Sequence, residues 1–231
     1  MSEHPVAAAV VIVPARDEDE LLGACLASVT EASLAAVATG VTVQVVVVAN
    51  RCTDATVRIA RRHGVHVLVN DAVNVGRARA DGCVLAGSLT GELDPAQVWL
   101  ATTDADSVVP ARWLVAQLEQ ARRGADAFVG TIALGDADAA RHPGWWTDYQ
   151  RATARTPHGH VHGASLGVRA DAYLRAGGFP AVASGEDERL IAALVRHRAS
   201  VAWVDDVPVT TSARHRGRAP FGVGRDLRIS G

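Results

Sequence analysis

The sequence predicts an α/β fold on a doubly wound, mostly parallel central sheet, and three observations predict it. Two Val-rich runs, Ala7 to Val13 and Val43 to Val48, are largely continuous rather than alternating, as strands buried on both faces are. Helical patterns follow or separate them: Glu18 to about Ala36, Asp54 to His63, Val75 to Ser88, and Pro110 to Arg123, where the proline suits a first helical turn. The resulting order, βαβαβαβα, belongs to a sheet whose ligand crevice lies outside the carboxyl ends of its strands.

The second half is less regular. Ala127 to Leu134 reads as a strand, Trp145 to Arg155 as a helix, and Ala164 to Arg169 and Val201 to Val204 as short strands separated by a helix over Asp187 to Arg198. From Pro208 the chain mixes Thr, Ser, Arg, Gly and Pro without periodicity, which predicts an ordered loop or a mobile flap. At 231 residues, 48% hydrophobic and 21% charged, a single domain is expected.

Several classes are disfavoured. A net charge of −2 supplies no positive field for nucleic acid or an anionic membrane. Cys25, Cys52 and Cys83 are odd in number, widely spaced and without a CxxC, which argues against a disulfide framework and a zinc knuckle and suits a reducing cytoplasm. The N-terminus Met1-Ser2-Glu3-His4-Pro5 has no basic segment before an apolar run, and no stretch has the length of a membrane span. A cytoplasmic protein without an integral membrane segment is expected.

Polar groups gather in the loops after the strands. Val98-Trp99-Leu100-Ala101 leads into Thr102-Thr103-Asp104-Ala105-Asp106, and extended backbone would put both aspartates on one face. Hard carboxylate oxygens without thiolates favour Mg²⁺ or Mn²⁺, ions that complete their shells with water and phosphate. The plainer alternative is a strand end that caps the helix at Pro110. The earlier loops read Pro14-Ala15-Arg16-Asp17-Glu18 and Asn50-Arg51-Cys52-Thr53-Asp54, and Asn74-Val75-Gly76-Arg77-Ala78-Arg79 opens the third helix. Gly76 would let a helix N-terminus approach phosphate or sugar, and Arg79 can pair with a diphosphate. A solvated helix face would account for Arg77 and Arg79 as well. Later come His162-Gly163-Ala164-Ser165, Gly177-Gly178-Phe179-Pro180 and Ser184-Gly185-Glu186-Asp187.

These motifs, in this order from about Val10 to about Gly224, resemble glycosyltransferase family 2. The resemblance implies a GT-A fold, with a Rossmann-like nucleotide-binding half over about 6–106, a smaller acceptor-side half over about 107–206 and a C-terminal flap over about 207–231. It further implies an inverting glycosyltransferase, a hexosyltransferase being expected, with a UDP- or GDP-sugar as donor and a small-molecule, lipid or glycan acceptor. Pro14, Ala15, Arg16, Asp17 and Glu18 are expected at the nucleoside, where Asp17 alternatively caps a helix. Asn50 and Asp54 follow at the base, and Gly76, Arg79, Asp104 and Ala105 at the remaining donor. Ala80 stands where the family's Ala-Arg-Asn stretch has its Asn.

Asp106 is expected to hold the metal, with Asp104 doing so directly or through water and His215 as a further ligand. Asp187 is the expected general base, with Glu186 in reserve, and capping by Ser184 is the alternative. His162, Gly163, Ala164 and Ser165 are expected at the acceptor, and Arg214, Arg216 and Arg218 are expected to close over the diphosphate, unless they belong to a basic terminus. His158, His160 and His162 would share one side of a strand, which leaves a Zn²⁺ site open beside an acceptor-pocket loop. The Gln-x-x-Arg-Trp motif of processive synthases is absent, which favours transfer of one sugar at a time. A nucleotidyltransferase would need a Gly-rich first loop, which Pro14 to Glu18 is not. A sugar-nucleotide sensor would not need Asp104, Asp106 and Asp187 together.

Overall fold

The computed structural model describes residues 5–72, 74–154, 157–182 and 184–213. The first half alternates as expected: β1 (Ala8–Ala15), α1 (Leu22–Val37), β2 (Thr42–Asn50), α2 (Thr56–Arg62), β3 (His66–Asn70), α3 (Val75–Leu89) and β4 (Val98–Thr102). There follow β5 (Ser107–Val108), α4 (Trp113–Arg122), β6 (Ala127–Val129), β7 (Ile132–Leu134), α5 (Asp136–Arg141) and α6 (Pro143–Thr153). The described chain ends with β8 (Leu166–Arg169), α7 (Ala170–Arg175), α8 (Glu186–Arg196), β9 (Val201–Trp203) and β10 (Val209–Thr211).

Seven strands form the central sheet in the order β3-β2-β1-β4-β8-β6-β9. Only β8 runs against its neighbours; the other pairings are parallel. The continuous apolar character of β1 follows from burial on both faces. Val11 and Val13 pack with Leu22, Leu26, Trp113 and Leu114, and Val10 and Ile12 pack on the other side with Ala78, Ala86, Leu190 and Leu194. Each such side chain contributes roughly 1.5–3 kcal/mol relative to exposure.

Two expectations for the second half are corrected. Ala127 to Leu134 is not one strand: it breaks at Gly130, whose N–H bonds Ser165 O at 2.8 Å and whose Cα packs so closely that an added Cβ would lie 2.9 Å from the Phe128 ring. The chain crosses there from the central sheet into a second sheet of order β5-β10-β7. Residues 209–211 likewise form a strand, parallel to β7 and antiparallel to β5. Three residues between turns are too few to show a period, and pairing rather than propensity makes this strand. Residues 209–211 are therefore not part of a loop or flap as expected, and 214–231 lie outside the described residues.

A smaller aromatic core covers the second sheet. Trp145 and Trp146 of α6 stack on Tyr149 at 5.2 and 5.7 Å between centroids. The buried Tyr149 hydroxyl accepts the Ile132 N–H at 3.1 Å and faces His162 Nε2, also at 3.1 Å. His158, His160 and His162 project from alternate residues and stack at 6.3 and 5.9 Å. His158 Nδ1 accepts the His160 N–H at 3.3 Å, so its Nε2 carries the proton and donates to Val129 O at 3.2 Å. The rings stack face to face instead of converging on a point, which removes the Zn²⁺ alternative.

Two measurements test this packing. A Cβ at Gly167 of β8 would lie 2.6 Å from the Trp99 indole nitrogen, which donates to Gln117 at 2.8 Å in the core. Gly167→Ala should therefore lower unfolding free energy by about 1–3 kcal/mol in denaturant melts. Burial pushes the His162 imidazole from 6.5 down to about 4, with His160 and His158 adding to the effect and Asp187 opposing it. The unfolded chain takes up this proton first, so stability should fall as pH drops from 6.5 to about 4 and change no further from this source below that. His162→Gln should flatten that segment of a melting-temperature profile relative to wild type.

Candidate active site

The loops at the carboxyl ends of β1 and β2 are clasped together. Asp17 is left-handed, with φ 50°, and its Oδ1 accepts the N–H and hydroxyl of Thr53 at 2.6 and 3.2 Å. Asp54 Oδ2 accepts the Asp19 N–H at 3.0 Å, and its Oδ1 accepts the Thr56 N–H at 2.9 Å at the start of α2. Thr56 Oγ1 in turn accepts the Glu18 N–H at 2.7 Å. Cys52 completes the clasp: its thiol donates to Ala15 O and accepts the Asp17 N–H, both at 3.4 Å. Partial burial raises the Asp54 carboxyl, but the bonds from Thr56 and Asp19 outweigh it and hold the group below its ordinary range.

Asp17, Cys52 and Asp54 place ligand atoms within 4.8 Å of one another. Three backbone amides already occupy the two carboxylates, and burial raises the Cys52 thiol, so the trio serves as a clasp between loops. Beside it, the buried Asn50 side-chain oxygen has no hydrogen-bond partner. Ala15 is buried and Arg16 exposed.

Asp104-Ala105-Asp106 is not extended, as the sequence led one to expect. The Ser107 N–H bonds Asp104 O at 3.0 Å and closes a turn, which is anchored by Ser107 Oγ to Thr211 Oγ1 at 3.0 Å in β10. The Cys25 thiol also donates to Asp104 O, at 3.3 Å. Sequence gave no sign of this contact. Burial, with Asp104 and Asp106 adding, pushes that thiol well above its ordinary range, so it stays protonated. The turn therefore offers two half-buried carboxylates with no thiolate beside them, a donor set that fits a hard ion such as Mg²⁺ or Mn²⁺.

Arg79 joins this turn to the acidic pair of α8. The residue is 3% exposed. Its Nη2 contacts Asp104 Oδ1 at 2.5 Å and its Nη1 pairs with Glu186 Oε1. Room for the guanidinium exists because residue 163 is glycine: an added Cβ would meet it at 2.5 Å from Cζ. Gly76 serves contact of another kind, since a Cβ there would lie 3.0 Å from Glu186 Cβ and against Pro180 O. Close packing of α3 on α8 is what this glycine permits. Asn74 caps α3 by accepting the Arg77 N–H at 2.9 Å.

Burial raises the Glu186 carboxyl, and Arg79 opposes the shift. Asp187 sits differently. Its Oδ2 accepts the Gly163 N–H at 2.7 Å and its Oδ1 the Glu188 N–H at 2.9 Å, while Gly163 O accepts the Thr102 hydroxyl at 2.7 Å. The cap of α8 is Gly185, at φ 71° and without a side-chain capping bond, so the alternative that placed Ser184 at the cap position is off by one residue. Ala164 and Ser165 are buried, the latter accepting Trp113 Nε1 at 3.2 Å. Asp104, Glu186, Asp187, Gly163 and Arg79 are thus drawn together, whereas Arg214, His215, Arg216 and Arg218 lie outside the described residues. Among the described residues no helix is long and apolar enough to cross a membrane.

Solved structures of known proteins share the fold described above. Mannosyltransferase PcManGT from Pyrobaculum calidifontis, in complex with GDP-Man and Mn²⁺, shares the fold at TM-score 0.66 and 19% identity, over 93% of this chain and 59% of that one. S. aureus TarS 1-349 does so at 0.59 and 14%, over 89% and 60%. Glucosyl-3-phosphoglycerate synthase from Mycobacterium tuberculosis, in complex with Mn²⁺, uridine-diphosphate and phosphoglyceric acid, does so at 0.59 and 16%, over 97% and 77%. The chain therefore spans 59% and 60% of the length of the first two. Among curated proteins no sequence matches. The Glycosyl transferase family 2 model matches residues 10–173, and with its mostly parallel α/β sheet of GT-A type the chain belongs to glycosyl transferase family 2.

Proposed function

We propose that this chain moves one sugar, a hexose, from a nucleotide-diphosphate sugar to an acceptor hydroxyl with inversion. What supports this is the contact of Arg79 with both Asp104 and Glu186, which draws the strand-end carboxylates and the acidic pair of α8 to one place from distant parts of the chain. The clasped loops carrying Asp17, Glu18, Asn50 and Asp54 take the nucleoside, and the unpartnered Asn50 oxygen offers it an acceptor. Asp106 and Asp104 hold a divalent ion. When bound, it neutralises charge on the diphosphate leaving group.

Asp187 is the base. Glu186 is committed to Arg79, whereas Asp187 is held by backbone N–H groups of Gly163 and Glu188 and makes no ion pair with Arg79. It takes the proton of the acceptor hydroxyl as that oxygen bonds to the anomeric carbon, and the bond from that carbon to the diphosphate oxygen breaks. The nucleoside diphosphate leaves with the electron pair, and one displacement inverts the centre.

Two experiments test this. UDP or GDP with Mn²⁺ should raise the melting temperature, and at a hundredfold excess over Kd the gain is about 2.7 kcal/mol; the absence of any metal-dependent shift with either nucleotide would refute the donor site. Asp187→Asn should keep nucleotide binding yet lose transfer by roughly 10²–10⁴-fold. Undiminished turnover in that variant would exclude Asp187 as the base.

A further inference from the structure

We infer that Arg79 is a positioning residue that keeps Asp104 from accepting a divalent ion alone, so that ion and nucleoside diphosphate bind as one unit. This takes Asp104 and Asp106 as the metal site, as proposed above. The guanidinium is not free to swing away. It is 3% exposed, has the Phe179 ring 6.0 Å from Cζ, fills the space left by Gly163 and is tied to Glu186. Gly76 packs the same helix against Pro180 and Glu186, which fixes the base of the side chain.

Asp104 therefore presents a carboxylate with one oxygen already held by a fixed cation at 2.5 Å, while its side chain remains 37% exposed. A divalent ion on the exposed side shares that carboxylate with Arg79. Two cations a few ångströms apart repel, at the moderate effective dielectric of such a site, by enough to cost well over tenfold in affinity. The negative oxygens of a diphosphate, arriving with the ion, offset that repulsion. Arg79 thus trades affinity for the lone ion against dependence on the nucleotide, a sign opposite to that of a residue that only builds the pocket.

The test is Mn²⁺ binding to the whole chain, followed by the electron paramagnetic resonance signal of the free ion, with and without UDP or GDP. Wild type should bind Mn²⁺ at least about tenfold more tightly with nucleotide than without it. The paired variant Arg79→Met with Glu186→Gln removes the cation without stranding a buried carboxylate. It should bind Mn²⁺ alone about tenfold more tightly than wild type, a gain that structural damage does not produce. Glu186→Gln alone leaves Arg79 wholly to Asp104 and should weaken binding of the lone ion. Unchanged or weaker lone-ion binding in a folded paired variant, or stronger binding in Glu186→Gln, would overturn the role of Arg79. A wild type that binds no nucleoside diphosphate would instead overturn the donor-site reading, and comparing lone-ion affinities keeps the two failures apart.

Discussion

A buried cation between two carboxylates is the constraint around which this molecule is arranged. Arg79 comes from α3 in the first half, Asp104 from the turn after β4 and Glu186 from α8 in the second half. Stranding Arg79 or Glu186 would leave a charge with little solvent to stabilise it, a loss of order 3–5 kcal/mol for buried pairs, whereas the more exposed Asp104 keeps water as a partner. Its neighbours conform to it: two glycines, at 76 and 163, remove side chains that would collide with the group or with the helix packing that holds it. The candidate site is thus assembled by a contact that, with the β4–β8 pairing, ties the first half of the chain to the second.

The alternation of strands and helices in the first half was legible because β1 and β2 are buried on both faces and the helices are long enough to show a period. The second half was less so. Strand β10 spans three residues, and the break between β6 and β7 depends on the close approach of Gly130 to Ser165, which no local pattern announces. Among the site residues, types and order were readable but partnerships were not. Arg79 read as a ligand for phosphate, yet its contacts are carboxylates 25 and 107 residues away. Asp17 and Asp54 read as nucleoside contacts, and what the fold adds is that each holds the other's loop. Cys25 and Cys52 carried no signal, since a thiol donating to a carbonyl leaves no mark on spacing.

The second sheet gives the turn at Asp104 its support. Strand β10 pairs with β5 directly after that turn, and Ser107 meets Thr211 there. Residues far apart in the chain therefore set the posture of two carboxylates, while α6 and its aromatic stack cover β7 on the same small sheet. Beside that stack, burial keeps His162 neutral over the ordinary working range.

The clasp between the first two loops uses only the chain's own groups: carboxylate to amide, hydroxyl to amide, thiol to carbonyl. Folding itself closes it, so the conformational entropy of ordering these loops is lost before any ligand arrives. On the proposed reading, a nucleoside entering here would meet a floor already set, and the energy of its contacts would go into affinity rather than into loop ordering. The same rigidity would make the floor unforgiving, because Asp17 or Asp54 cannot rearrange around a different ligand without unfastening both loops at once.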